Sequence, residues 1–364
     1  MKVLIVGGSV SGLACAEQIL ALSGLDVTVV DRKRRVGENP RCAGAVSGYM
    51  MEKVGFSVPE SCVLSRVRRV RIYAPNRAYW ELKGDYGYVL NRELFEQSMA
   101  ERVEQAGGRI NLDSFVSIRD MNSLNMKYEY DYIVGADGPA SVVREWLGLP
   151  KHSLDDVHIG VQKTISMDYY PVDTIELYFG EKVAPQGYAW IFPRGNGMVR
   201  VGLGVPSSKG SLAMALLDRF ISRQVYDYKV VDSIGKQIPT AKMPRTGVYG
   251  RFLLVGDALP STDPLTGGGI SQGIMTGKAA GRALAEGKPE KYDIYVGWLR
   301  KQNNRRYKLK KVLYSFTDHD FNDLVEVMQG FKPQSLSVGK ELRRAVVRLV
   351  WKKPRLLRKF FKYL

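Results

Sequence analysis

At 364 residues with 45% hydrophobic side chains, the chain is too long for one small core and apolar enough to bury two. No apolar run reaches the roughly 18–20 residues that span a bilayer. Cys15, Cys42 and Cys62 form no CxxC pair, and His152, His158 and His319 have no metal-ligand spacing. A membrane-spanning helix, a disulfide framework and a zinc site are therefore not expected, and a cytoplasmic location is. The net charge is +17, and residues 340–364, with ten Lys/Arg and one acid, supply +9 of it.

In chain order, Met1-Lys2 and the apolar residues that follow could pass for a secretory leader. Gly7, Gly8 and Gly12 break that run, and it reads as strand, tight turn and helix. Residues 2–6 predict a strand, residues 13–23 a helix and residues 26–31 a second strand, a βαβ unit. A loop rich in Arg, Gly and Pro is expected over 32–48, and short antiparallel strands over 66–90. Residues 92–107 predict a helix. Residues 130–134 predict a buried strand ended by Gly135-Ala136-Asp137-Gly138. Residues 157–205 read as consecutive strands with a turn at Gly195-Asn196-Gly197, within a β-rich stretch reaching 240. Residues 252–255 predict another apolar strand ending at Gly256-Asp257, then a Gly-rich loop and a helix over about 269–286. From 290 the chain reads as helical and basic. The economical arrangement is one nucleotide-binding domain interrupted twice by a sheet domain.

A strand that enters a Gly-rich turn and then a helix leaves backbone N–H groups facing outward at the positive end of the helix dipole, where a pyrophosphate fits. Gly7 suits the tight turn and Gly12 close helix–strand packing. Asp31, at the end of the second strand, is placed to accept from ribose hydroxyls. Ser9 stands where the fingerprint has its middle glycine. Asp137-Gly138 and Gly256-Asp257 end two further buried strands, at the strand ends where cofactors sit in parallel sheets.

These segments resemble the flavoprotein group of p-hydroxybenzoate hydroxylase-like enzymes. Gly7–Gly12 is similar to its dinucleotide fingerprint, residues 131–144 to its DG motif and residues 252–258 to its GD motif, whose Asp meets the ribityl chain of FAD. Arg92 matches an arginine used near the flavin. Within the group the chain most resembles the geranylgeranyl reductase family. The hallmark YxWxFP followed by GxG stands as Tyr188-Ala189-Trp190-Ile191-Phe192-Pro193 and Gly202-Leu203-Gly204. Arg41-Cys42-Ala43-Gly44 is similar to the CGG segment beside the flavin, with Ala43 for a glycine, and residues 263–270 to the flavin-covering loop.

The resemblance implies an α/β fold: a Rossmann-like FAD-binding domain (1–65, 91–150, 245–290) interleaved with a mainly antiparallel β-sheet substrate domain (66–90, 151–244). A basic helical segment, 291–364, follows. It implies FAD held by Gly7, Gly8, Ser9, Ser11, Gly12, Asp31, Arg32, Arg41, Cys42, Ala43, Gly44, Arg92, Asp137, Gly256, Asp257, Gly267, Gly268, Gly269 and Ile270. The implied reaction is reduction of geranylgeranyl C=C bonds of an isoprenoid, archaeal-type lipid, with catalytic roles for Cys42, Tyr188, Trp190 and Phe192.

An unpolarised alkene needs a hydride donor, a proton donor and stabilisation of partial positive charge, which aromatic faces provide. Tyr188, Trp190 and Phe192 alternate on a strand and so share one face, suited to lining a greasy tunnel or to a plain sheet core. A thiol such as Cys42 suits proton relay or simple burial. Reduction of a quinone's isoprenoid tail, a flavin-dependent monooxygenase or halogenase, and a membrane-bound electron carrier are the alternatives. Ferredoxin, a deazaflavin or NAD(P)H could each supply electrons.

Leu342, Ala345, Val346, Leu349 and Val350 follow helical spacing, with Arg343, Arg344 and Arg348 off that face. After Pro354, Leu356, Leu357, Phe360, Phe361 and Leu364 form a second apolar face among basic residues. This basic amphipathic pattern suits a peripheral contact with an anionic membrane or a docked terminal helix. No nucleic-acid motif accompanies the charge.

Overall fold

The structure, a computed structural model, describes residues 1–127, 129–330 and 353–363. The chain opens with β1 (Lys2–Val6), α1 (Val10–Leu22) and β2 (Asp26–Val30), then β3 (Ala45–Ser47) and α2 (Gly48–Lys53). The long strands β4 (Val63–Tyr73) and β5 (Tyr79–Leu90) lead to α3 (Arg92–Gln105), β6 (Arg109–Asn111), α4 (Ile118–Lys127), β7 (Tyr132–Gly135) and α5 (Val142–Trp146). Next come β8 (Val157–Ser166), β9 (Thr174–Tyr178), β10 (Tyr188–Gly195), β11 (Met198–Pro206), α6 (Ala213–Gln224) and β12 (Lys229–Pro239). The chain returns through β13 (Val248–Tyr249), β14 (Phe252–Leu254) and α7 (Ile270–Ala285). It ends in α8 (Tyr292–Tyr295), α9 (Gly297–Tyr314), α10 (Asp318–Gln329) and α11 (Pro354–Tyr363).

Two sheets result. The smaller runs β13-β14-β7-β1-β2-β6 and is parallel except for the β13–β14 hairpin. Val3, Leu4, Ile5 and Val6 of its central strand are all buried, as expected for a parallel strand covered on both faces. The larger sheet runs β12-β8-β11-β10-β9-β4-β5-β3, with β4 and β9 its one parallel neighbour pair.

Both faces of the larger sheet are apolar. Ile165, Ala189, Ile191, Val201 and Leu203 pack on Leu217, Phe220 and Ile221 of α6. The opposite face carries Trp190 and Phe192 with Val67, Val70, Leu82 and Val89. Asn196 and Gly197, at φ 51° and 67°, form the two-residue β10–β11 turn, the left-handed pair that matches strand twist.

Three local expectations are corrected. The segment read as β-rich to 240 contains helix α6, because Ala213, Leu217, Phe220 and Ile221 recur at helical spacing and cover the sheet. The loop expected over 32–48 ends in β3, which pairs with β5. Helix α1 begins at Val10 rather than Leu13, because extended Ser9 is its N-cap.

The end of the chain docks on the protein. Leu356 is buried with Val312, Phe316 and Phe321. Arg355 and Lys359 reach the Asp320 carboxylate at 2.6 and 2.7 Å, and Lys353 reaches Asp323 and Glu326 at 2.7 and 2.9 Å. The spacing at 342–350, Leu364 and the side chains of Leu357, Phe360 and Phe361 lie outside the described residues. No helix among the described residues is long and apolar enough to cross a membrane.

Candidate functional site

The three glycine-bearing corners meet. A Cβ on Gly7, at φ 113°, would collide with the Ala136 carbonyl of the second corner. A Cβ on Gly256 would collide with the Ser11 hydroxyl, which sets the third corner against the first turn of α1. A Cβ on Gly12 would strike Gly7 O, so helix and strand close up only with glycine there. The α1 amides of Val10, Ser11 and Gly12 have no intrahelical acceptor and no side-chain cap, leaving an N–H cradle at the positive end of the helix. That cradle fits a pyrophosphate.

Ser9 does more than fill a gap, since its hydroxyl donates to Glu96 Oε1 at 2.8 Å. Glu96 is buried, pairs with Arg92 and lies 3.8 Å from Lys33 Nζ. Asp31 is buried and accepts from the Gly8 amide at 2.6 Å and the Lys33 amide at 2.9 Å, fixing the turn. Its remaining lone pairs could still receive a ribose hydroxyl. Arg32 and Arg41 are exposed. Asp137 is turned toward α5, where Oδ2 accepts from the Val142 amide at 2.7 Å, while Oδ1 is buried without a hydrogen-bond partner. Burial pushes its carboxyl up, against those amide donors.

At the third corner Asp257 accepts from Lys236 Nζ and Thr262 Oγ1, both at 2.8 Å. Burial alone would raise its pKa, but Lys236, Thr262 and Arg92 hold it below the usual carboxylate value. The loop beyond it is pinned from α9: Asn303 donates to Ser261 O at 2.6 Å, and Arg306 pairs with Asp263. Within the loop, the Asp263 amide donates to Gly268 O at 2.8 Å and the Gly267 amide to Asp263 O at 2.8 Å. Gly269 is the N-cap of α7, which starts at Ile270.

The Cys42 loop faces this corner. Cys42 is half-buried and its Sγ accepts from the Gly44 amide at 3.4 Å. Its carbonyl accepts from Arg200 of β11. Arg92 and Arg200 are both buried, and each has an Nε without a hydrogen-bond partner. Glu96 answers Arg92 and Asp257 answers Lys236, but Arg200 makes no ion pair among the described residues. Burial, with Arg194 and Arg92 nearby, pushes Arg200 down to about 10. A buried guanidinium without an ion pair, its Nε unsatisfied like that of Arg92, fits an electron-rich group seated here.

Ala43 packs against the aromatic face of the larger sheet, so the three hallmark rings lie on the Cys42 side. Ring centroids are 5.8 Å apart for Tyr188–Trp190 and 6.1 Å for Trp190–Phe192. The GxG half of the hallmark has a steric reason. Gly202 pairs with Trp190 across the hairpin, and a Cβ there would enter the indole. Tyr188 donates to Thr266 O, tying the sheet to the loop, and burial pushes its phenol up. The aromatic row continues through Phe179, 5.8 Å from Tyr188, to Phe321 at 5.2 Å and then Phe316 at 5.4 Å. Phe321 and Phe316 border a cavity of about 240 Å³ shared with Pro185, Gln186, Leu313 and Tyr314.

The structure thus links Gly7–Gly12, Asp31, Cys42–Gly44, Arg92, Asp257 and the 263–270 loop through contiguous contacts and turns Asp137 to a helix cap. Sequence reasoning missed Glu96, Arg200 and Lys236. Glu96 lies four residues after Arg92 on the expected helix. Arg200 opposes Phe192 only through a bulge between Pro193 and Gly195, since the Asn196-Gly197 turn alone would set Val201 there. Lys236 arrives from a distant edge strand and has no local signal.

A model of the FAD binding domain matches residues 1–183, and a model of the geranylgeranyl reductase catalytic domain matches residues 156–238. The digeranylgeranylglycerophospholipid reductase of Methanosarcina acetivorans is 28% identical, over 96% of this chain and 94% of that protein. Digeranylgeranylglycerophospholipid reductase 2 of Methanopyrus kandleri is also 28% identical, over 100% and 98%. The crystal structure of a geranylgeranyl bacteriochlorophyll reductase-like protein of Thermoplasma acidophilum superposes with a TM-score of 0.86 at 22% identity. It covers 100% of this chain and 99% of its own.

Proposed function

Because the chain belongs to the family of FAD-binding flavoproteins with a geranylgeranyl reductase catalytic domain, we propose that it saturates C=C bonds in geranylgeranyl chains of archaeal-type membrane lipids. Its curated relatives are named for that activity. The observation that carries this reading is the meeting of the hallmark aromatic face with the Cys42 loop and the three glycine corners.

In this reading residues 1–65, 91–150 and 245–290 serve the cofactor and 66–90 with 151–244 the substrate. The Gly7–Gly12 amides hold the pyrophosphate, with Ser9 and Ser11 beside it. Asp31 faces the ribose, with Gly8, Arg32 and Arg41 at the rim. Asp257, Arg92 and residues 267–270 border the ring, and Asp137 holds α5 at its side. Bound there, reduced FAD would supply a hydride for one alkene carbon. Cys42 moves the proton to the other carbon, and Arg200 and Lys236 place positive charge beside the ring. Tyr188, Trp190 and Phe192 exclude water and turn negative ring faces toward charge developing on the alkene. The isoprenoid follows the row from Phe316 and Phe321 past Phe179 to Tyr188. Electrons come from ferredoxin, a deazaflavin or NAD(P)H, and the basic C-terminal segment faces anionic headgroups.

The test is anaerobic incubation of dithionite-reduced holoprotein with geranylgeranyl lipids, followed by mass spectrometry. Gains of about 2 Da per bond are expected from hydride-plus-proton addition. No gain on any isoprenoid would sink the proposal. Oxygen consumption coupled to a hydroxylated or halogenated product would replace it with monooxygenase or halogenase chemistry.

A further inference from the structure

Helix α9 carries seven Lys/Arg and no acidic residue. Three turn inward to carboxylates: Arg300 to Asp293, Arg306 to Asp263 and Lys310 to Asp156. Lys301, Arg305 and Lys308 are exposed and follow Trp298 at i+3, i+7 and i+10, so the four share one helix face. Apolar groups stand at the start of this stripe. Ile294 is 73% exposed, Trp298 39%, and Tyr49, from α2, 62%. Lys53 joins them, its Nζ 3.8 Å from the centre of the Trp298 ring and 5.9 Å from that of Tyr49. Seven residues beyond Arg305 the same face reaches Val312, buried with Leu356 of α11, whose Arg358 and Lys362 are exposed.

Trp and Tyr beside an exposed aliphatic residue, flanked by cations along an acid-free helix face, match the headgroup zone of an anionic bilayer. We propose that the outer face of α8 and α9, with Tyr49 and Lys53 of α2, seats the protein on an anionic membrane surface. The inner side of α9 holds the 261–263 loop through Asn303 and Arg306. The helix that meets the headgroups therefore also carries the loop bordering the candidate site. The inference rests on the reductase reading only in expecting a substrate dissolved in that bilayer.

The test is flotation of the full-length, FAD-loaded protein with vesicles of phosphatidylcholine, alone or mixed with phosphatidylglycerol, at low and high salt. The wild type binds the mixed vesicles, and high salt releases most but not all of it. The K301Q/R305Q variant binds roughly thirtyfold more weakly, the effect of losing two surface cations, and Trp298→Ala lowers the binding that survives high salt. Flavin content and turnover of detergent-dispersed lipid stay at the wild-type level in both. Wild type that ignores anionic vesicles, or a double variant that binds as tightly as wild type, overturns the inference. So does a double variant that loses only an acidic ferredoxin, which would assign the face to a protein partner. Inactivity of every protein on dispersed lipid would count against the reductase reading and leave the membrane result standing.

Discussion

Arg200 is buried in the candidate site with Cys42 O as its acceptor and no carboxylate in ion-pair reach among the described residues. Arg92 and Lys236 have Glu96 and Asp257, so Arg200 is the cation of the three without a paired carboxylate. A flavin held here would carry negative charge once reduced by two electrons and one proton, and Arg200 beside it would favour that state. Arg200→Gln should therefore lower the flavin midpoint potential, read by equilibration with a reference dye, while FAD content is unchanged. A potential equal to wild type would remove Arg200 from any electrostatic role. This residue was not within reach of the sequence: the Asn-Gly turn alone would set Val201 opposite Phe192, and a bulge between Pro193 and Gly195 brings Arg200 there instead. Nor was Lys236, because its meeting with Asp257 depends on how an edge strand of one sheet lies over the other.

Among the elements, α6 closes the outer face of the larger sheet and the aromatic face opposite it is thereby left for the site. Leu217 is fully buried against that sheet. Leu217→Ala removes three carbons from a packed layer and should cost about 2–5 kcal/mol in denaturant unfolding. A change below about 1 kcal/mol would mean that the layer collapses to fill the gap. The βαβ unit, the GD strand and the hairpin were legible because each carries its own turn chemistry and apolar period. The period of α6 was equally present in Ala213, Leu217, Phe220 and Ile221, but the strands on either side drew it into a β reading. Strand β3 is three residues long, and only its partner β5 makes it a strand.

Across the molecule, a buried polar knot joins the start of β8, the return from β12 and the end of α9. His158 bonds Thr240 Oγ1 through Nδ1 at 2.9 Å and the Tyr314 hydroxyl through Nε2 at 2.6 Å. Lys310 Nζ donates to Thr240 O at 2.9 Å and Asp155 O at 3.1 Å. Burial, with Lys310 adding to it, pushes His158 down from 6.5 to about 4. Below pH 6.5 the unfolded chain takes up a proton that the folded one refuses. The stability is therefore complete above 6.5 and is lost as pH falls toward 4, by about 3 kcal/mol. The urea midpoint should drop between pH 7 and pH 5, and His158→Asn should flatten that slope. A wild-type midpoint constant over this range would contradict the assignment.

The abutment of Gly256 on Ser11 joins positions 245 residues apart in the chain. On the ribosome, the first βαβ unit emerges long before β7 and β14 exist to complete its sheet. A nascent chain therefore has no finished nucleotide pocket until most of it has been synthesised, and such distant pairings close slowly. The yellow colour of bound flavin in an expressing cell would then count finished molecules, not partial ones.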